Sequence, residues 1–402
     1  MKSLLHLAIS STMALSLGAV AFGQHYTQTN LVSNTPGVAP VTDPTLVNPW
    51  GLSSSASSPW WVSDNVTGFS TLYNGAGAKQ SLVVTIPPAN PANKKTPTGS
   101  PTGTIFNGSS TDFLLAPGAP ATFLFCTIDG AIVGWNATVG VAPGATPPST
   151  HAMVVAKTTD GSSYTGMTSA LIDGKRYLYA ANFTKGRVDV YDNAFHPVQL
   201  GRDNSNGYAF DDDHNRPGND AFEDEQLPRN YVPFNVQAIG NDIVVTYALH
   251  QEGQQMETDG PGFGFVDIYS SNGRLLQRLE HGDWLNAPWG VTLAPLNFGR
   301  FSHDLLIGQF AGAGTTEFSG VIAAYDLATG KFEGLLEDTT GKPLSISGVW
   351  AISPGNASPG NYDAASSPAA ELYFTALANH GTGGLMGYLT AVSTELVQGN
   401  DQ

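Results

Sequence analysis

The sequence predicts an all-β chain folded as a six-bladed propeller, with four-stranded blades and the last blade closed by the N-terminal strand. Three observations carry this expectation. The 402 residues include 46 glycines, 26 prolines, 19 phenylalanines, 14 tyrosines and 7 tryptophans, with only 12% charged, which favours many short strands joined by tight turns over long helices. A strand-pair pattern recurs six times at a spacing of roughly 50 to 70 residues, the kind of period propellers have. In each copy an apolar strand ends in a polar residue, a glycine-containing loop follows, and an alternating strand usually closes on Tyr or Trp beside Asp or Asn. Ahead of several pairs lies a further short strand opened by a Trp-Gly or Gly-Val element, which supplies the innermost strand of a blade.

Taken in order, the chain starts with a leader. Met1-Lys2-Ser3 places one positive charge before the apolar run Leu4 to Val20, and the small-residue pattern Ala19-Val20-Ala21-Phe22-Gly23 follows, so residues 1–23 read as a secretory signal cut near Gln24. A strand at 26–32 precedes the first unit. The six pairs are 60–65 with 69–74, 123–129 with 131–136, 177–182 with 187–192, 243–250 with 265–270, 305–309 with 320–326, and 372–379 with 385–389. Innermost strands are opened by Asn48-Pro49-Trp50-Gly51-Leu52, Ala287-Pro288-Trp289-Gly290-Val291 and Ser347-Gly348-Val349-Trp350, and outer strands follow at 81–86, 151–156 and 274–279, the last after the hairpin signal Asn272-Gly273. The sixth unit lacks an outermost strand. Pairing 26–32 with 385–392 closes the ring and removes the edge that an open ring would expose.

The segments Asn48-Pro49-Trp50-Gly51-Leu52, Pro233-Phe234-Asn235-Val236-Gln237, Val245-Thr246-Tyr247-Ala248, Gly262-Phe263-Gly264-Phe265-Val266-Asp267, Ala287-Pro288-Trp289-Gly290 and Leu372-Tyr373-Phe374-Thr375-Ala376 resemble a family of exported bacterial proteins with NHL-type propeller repeats, over nearly the whole mature chain. The resemblance implies fold and compartment but no reaction. Members often carry a C-terminal hydrophobic sorting tail, which Gly399-Asn400-Asp401-Gln402 does not resemble.

Charge narrows the partners. With 17 Lys and Arg against 33 Asp and Glu, a net −16 repels phosphate backbones and anionic lipid headgroups, so no nucleic acid is expected. After signal removal no stretch is long and apolar enough to span a bilayer, and the expected protein is a secreted or periplasmic monomer. The single Cys126 permits no intramolecular disulfide and sits in an apolar run as an expected buried, inert thiol. Trp60 and Trp61 are adjacent on an alternating strand, so the two are not both expected in the core, and one of them is expected to be exposed or interfacial.

Second strands in a propeller end at one mouth of the channel, so their polar ends are expected to form a ring there: Asn65, Asp129, Asn182, His250, Gln309 and the pair Asn379-His380. Such side chains can coordinate a cation or hold a hydroxylated ligand, although Asn, Asp and Gly also suit strand-to-turn transitions. Asn235 joins the expected ligand-binding set, with Trp50 and Trp289 at the mouth for stacking. The alternative for these two and Trp350 is packing in the wedge-shaped gaps between blades. Two acidic insertions, 202–230 and 251–262, are expected on the same face. Asp203-Asn204-Ser205-Asn206-Gly207 fails the EF-hand spacing, since its glycine comes one position early and His214 stands where the bidentate Glu belongs.

No Gly-x-Ser-x-Gly, His-Glu-x-x-His, cysteine pair or phosphate loop occurs. The leading expectation is a propeller binding a small polar ligand, a cation or a protein partner at the channel mouth. The alternative is a metal-dependent hydrolase or lyase of the lactonase-like propeller type, which rests on fold analogy. There Asn65, Asp129, Asn182 and Asn379 ligate a divalent cation, calcium before zinc, and His250 or His380 is the general base. A third reading is an envelope interaction scaffold with an inert channel. The residues leave open whether the chain is an enzyme.

Overall fold

In this computed structural model the described residues are 23–395, apart from 93–96, 203–207, 211–220, 252, 255, 312–318, 356–369 and 379–382, and only the backbone is described at 202 and 208–210. Six blades of four antiparallel strands make the ring, and the sheet of the last gains a short parallel fifth strand, Val41–Thr42, outside its closing strand. Blade 1 holds Pro49–Ser53, Trp60–Asp64, Phe69–Tyr73 and Lys79–Thr85; blade 2, Pro101–Phe106, Phe123–Thr127, Ala131–Trp135 and Met153–Lys157; blade 3, Tyr164–Ile172, Lys175–Asn182, Arg187–Tyr191 and Pro197–Val198. Blade 4 holds Tyr231–Ile239, Asp242–Leu249, Gly264–Tyr269 and Leu275–Arg278, and blade 5, Pro288–Leu293, Leu305–Gln309, Ile322–Tyr325 and Phe332–Leu335. Blade 6 is Val349–Pro354, Glu371–Ala376 and Leu385–Ala391 with Tyr26–Ser33 as its fourth strand.

Closure is as expected. Tyr26 lies opposite Ala391 and Ser33 opposite Leu385 in one antiparallel ladder, with a bulge near Asn30. Tyr26 is buried and its hydroxyl donates to the Phe298 carbonyl of blade 5 at 2.9 Å, so the closing strand is held by a side chain as well as by backbone.

Each face of a blade is covered by its neighbour, so strand alternation here sorts residues between two cores and not between core and solvent. Separate apolar clusters fill the seams 1/2, 2/3, 3/4, 4/5 and 5/6, and the seam between blades 6 and 1 is continuous with the axial core. This overturns the expectation for Trp60 and Trp61. The two do face opposite ways, but both are buried, Trp60 in the 6/1 seam and Trp61 in the 1/2 seam. Val188, Val190, Val266, Ile268, Leu305, Ile322 and Cys126 are buried as expected, and burial pushes the Cys126 thiol up to about 12, so it is not a thiolate at neutral pH.

Every innermost strand carries one more residue than its partner at the same place, a bulge just after Pro49, Pro101, Tyr164, Pro233, Pro288 and Val349. Bulges re-aim side chains. Here they deliver Trp50, Phe234, Trp289 and Trp350 to the axis. The glycine after the tryptophan has its own reason: a Cβ on Gly51 would lie 2.5 Å from the Thr102 carbonyl oxygen of blade 2, and one on Gly290 would lie 2.5 Å from that of Trp350 in blade 6. A Trp-Gly pair therefore fills the axis and admits the next blade.

Candidate functional site

The axis is filled. Trp50 stacks on Trp350 with centroids 3.7 Å apart, and Trp289 meets both edge-on at 6.0 and 5.9 Å. Phe234 packs 6.2 Å from Trp50, and Phe310 lies 4.5 Å from Trp350. The Trp289 indole N–H donates to the Thr165 carbonyl at 2.9 Å and that of Trp350 to Asn48 Oδ1 at 3.0 Å. Trp50 and Trp289 are 1% and 4% exposed; they stack on protein rings and present no open face to a ligand, which corrects their expected place at a mouth. Farther along the axis a cavity of about 30 Å³ is lined by Gly51, Gly103, Asn235, Gln237, Gly290 and Ala351, space for about one water molecule. Asn235 is buried there and donates to the Trp289 carbonyl at 2.7 Å.

The expected polar ring does not form as one ring. Aligned on the bulge, the second strands place Asp64, Thr127, Asn182, Tyr247, Gln309 and Ala376 in one row. The next row is Asn65, Ile128, Phe183, Ala248, Phe310 and Leu377; five of these six are apolar and pack with the tryptophans. Asn182 and Gln309 thus belong to the first row, Asn65 to the second, and Asp129 and His250 lie beyond. Asn379 and His380 lie outside the described residues.

The polar ends instead tie loops. Asn65 donates to the Pro101 carbonyl at 3.1 Å, Asp129 accepts from the Ala89 N–H at 2.7 Å, and Gln309 accepts from the Asn286 N–H. Asn182 is fully buried; it accepts from the Ser163 N–H and donates to Ser162 Oγ and Asp189 Oδ2. His250 packs 4.7 Å from Phe183, with Nε2 2.9 Å from the Gln254 carbonyl. Among the described residues no group of three or more His, Cys, Asp or Glu side chains could hold a metal ion.

A larger space opens on the flank between blades 2 and 3, a trough of about 590 Å³. Sequence reasoning missed it. The fourth strand of blade 3 is only the two residues Pro197–Val198, pairing with Tyr191 and Val190, which leaves Arg187 to Asp189 without a ladder partner on that side among the described residues. Pro197 was the available signal, because a proline cannot donate to a ladder. Val155, Tyr191 and Phe195 give it an apolar lining on the side of the 2/3 seam, and Lys157, Arg187 and Asp189 line the end nearer the mouth face.

A polar network supports that end. Asp189 accepts from Arg187 Nε at 2.6 Å, Asn182 Nδ2 at 2.7 Å and the Tyr164 hydroxyl at 2.9 Å, and the Tyr164 and Tyr191 hydroxyls are 2.6 Å apart. Arg187 also lies 3.8 Å from Asp160. Its bond to Asp189 raises the guanidinium pKa further, while burial and then the Asp189 charge raise the Tyr164 phenol. Arg187 is a fixed cation, 46% exposed, beside a neutral phenol pair.

Of the described part of the first acidic insertion, Asn230 is at the mouth, where its carbonyl accepts from the His250 N–H at 2.7 Å, but 221–222 are not, a further correction. Ala221 and Phe222 sink into the groove between blades 3 and 4 and reach the far turn of blade 4, where the Phe222 N–H donates to the Gly273 carbonyl at 2.8 Å. An inter-blade loop starts and ends at the mouth, but its length lets it run along the flank. The candidate calcium loop 203–207 lies outside the described residues. The second insertion does border the mouth face: Thr258 bridges Leu249, and the Gly260 N–H donates to Asn286 Oδ1 at 2.8 Å.

No protein-family model matches the chain. It is similar to uncharacterized protein L690 of Acanthamoeba polyphaga mimivirus, 28% identical over 366 residues, 89% of this chain and 84% of that one. Uncharacterized protein R648 of the same virus is 26% identical over 359 residues, 89% of this chain and 78% of that one. Among solved structures, the soluble aldose sugar dehydrogenase of Escherichia coli aligns with a TM-score of 0.49 at 11% identity, over 90% of this chain and 99% of that one. Virginiamycin B lyase of Staphylococcus aureus aligns at 0.41 and 11%, over 92% and 100%. The propeller itself stands on the strand pairing above.

Proposed function

We propose that the chain is an exported binding propeller that takes its ligand or partner in the flank trough between blades 2 and 3, and not over the axis. The observation that carries this is the contrast between an axis filled by aromatic rings and a trough of about 590 Å³ whose charged end is held by Asp189, Asn182 and two tyrosine hydroxyls. A mostly apolar concavity with a few positioned polar groups is what a binding site requires. Export rests on the leader pattern of residues 1–23 and on the resemblance to exported propellers.

Arg187 and Lys157 set the ligand chemistry. They are two of only 17 cationic side chains in a chain of net charge −16, and they lie together where the trough meets the mouth face, so a ligand with an acidic group and an apolar body is favoured. The test is a thermal-shift screen with small carboxylic acids, acidic sugars, peptides and divalent cations, on the parent and on Gln199→Trp, which fills the trough from an exposed position. Stabilisation by an acidic ligand that Gln199→Trp abolishes is the expected result. Stabilisation by any ligand that survives in Gln199→Trp moves the site elsewhere and overturns the proposal.

A further inference from the structure

Three residues farther from the mouth than the row that holds Asp64, each second strand turns one side chain into the seam toward the next blade: Trp61, Leu124, Tyr179, Val244, Leu306 and Tyr373. Five of these six seams hold an aromatic ring there. In blades 1, 3 and 6 the strand supplies it: Trp61 stacks 4.2 Å from Phe123, Tyr179 meets Phe222 at 5.7 Å, and Tyr373 lies 4.8 Å from Trp60. Blades 2 and 5 have leucine at the position, and the connection between their first two strands sends in a phenylalanine instead. Phe113 and Phe298 are fully buried, in the same clusters as Leu124 and Leu306, and the Phe113 N–H donates to the Asn193 carbonyl in a turn of blade 3 at 2.8 Å.

Blade 4 does neither. Val244 carries no ring, and only Gly240 and Asn241 separate the first two strands, too few residues to return one. Trp284 lies in the same seam but belongs to the blade 5 side, stacked 4.1 Å from Phe332 with its indole N–H donating to the Tyr325 hydroxyl at 2.8 Å. An open groove of about 430 Å³ remains between blades 4 and 5, lined by Val244, Ile268, Leu276 and Leu327 together with Asp242 and Gln277. Leu276 and Leu327 at its rim are 40% and 37% exposed, so the groove keeps apolar surface in water that a ligand would cover.

We propose that this groove binds a small aromatic amine. The ring takes the place against Val244 and Ile268 that the chain's own rings take in the other seams. The ammonium group reaches Asp242, the only charged side chain in the lining among the described residues, and in a chain of net charge −16 that carboxylate disfavours an acidic ligand. An apolar concavity with one or two polar groups to orient the ligand is what such a site requires. This site is separate from the trough, and neither proposal rests on the other.

The probe is 2-phenylethylamine, titrated against the full mature chain by ligand-observed NMR, beside 3-phenylpropionate as an acid of similar skeleton. The amine should bind saturably, and equally to the parent and to Gln199→Trp, in which the trough is filled. Ala328→Trp fills the groove from an exposed turn and should abolish binding, while Asp242→Asn should weaken it about threefold, the scale of an exposed ion pair. Val244→Phe gives blade 4 the ring it lacks; it should raise the melting temperature and abolish binding too, and Ala328→Trp decides alone if Val244→Phe does not fold. Amine binding that survives Ala328→Trp, or that Gln199→Trp abolishes, overturns the proposal. So does the absence of saturation. An acid bound to Gln199→Trp as tightly as the amine overturns it as well.

Discussion

Trp50 lies flat on Trp350, planes 17° apart and centroids 3.7 Å apart, across the seam between the first blade of the sequence and the last. The contact joins residues 300 positions apart in the chain. Aromatic pairs contribute about 0.5–1.5 kcal/mol beyond the area they bury, and truncating a buried Trp costs about 3–5 kcal/mol. Trp350→Ala should therefore lower the unfolding free energy by an amount in that range, read from the denaturant midpoint with the slope unchanged. A loss under about 1 kcal/mol would show the axis to be loosely packed.

Gly290 should not tolerate a methyl group. The backbone oxygen of Trp350 stands 2.5 Å from where the Cβ would be, and backbone cannot rotate away as a side chain can. Gly290→Ala should cost about 1–3 kcal/mol, the range for overpacking, against the gain expected for Gly→Ala at an unhindered site. A melting temperature equal to the parent's would mean that the blades 5 and 6 separate more easily than the strand spacing implies.

Asp64 gives a pH signature. It is fully buried at the end of its strand, and burial raises its pKa well above the usual carboxylate value. The native state thus holds this proton more tightly than the unfolded chain does, so the residue's contribution is most favourable below the unfolded pKa and is lost as pH rises toward the folded one. Asp64→Asn removes that loss. Its melting temperature relative to the parent should rise as the pH climbs above about 4, the ordinary carboxylate value, and a variant less stable than the parent at neutral pH would show the carboxylate to be ionised and satisfied.

The closing strand should govern cooperativity. Thr29 lies opposite Tyr388 in the ladder that joins Tyr26–Ser33 to Leu385–Ala391, and Thr29→Pro restricts the backbone of a strand closing a ring of sheets. Hydrogen exchange should accelerate first in 385–391 and then in the neighbouring strands of blade 6. Acceleration confined to residues 26–33 would mean that the ring holds without its clasp.

Much of this fold was legible because a propeller repeats its signals. The Trp-Gly pairs, the strand-pair spacing and the unpaired strand at 26–32 each mark one element, and each sits where expected. The site was not legible, for a reason of register. Strand-end polarity at Asn65, Asp129, Asn182 and His250 was counted without the bulge that fixes which residues share a row, and those side chains turn out to bind loops. The trough comes from what is missing, a fourth strand cut to Pro197–Val198, and Pro197 alone marks that in the sequence. Sequence alone also could not place Phe222, because a long connection may run along either face or down a flank.

The most direct measurement is a calorimetric titration of the best acidic ligand from the thermal-shift screen into the parent, Gln199→Trp and His250→Ala proteins. Binding in the trough predicts a loss of at least tenfold in affinity, about 1.4 kcal/mol, for Gln199→Trp and none for His250→Ala. The reverse pattern, affinity kept in Gln199→Trp and lost in His250→Ala, would return the site to the mouth of the axis and contradict the central claim.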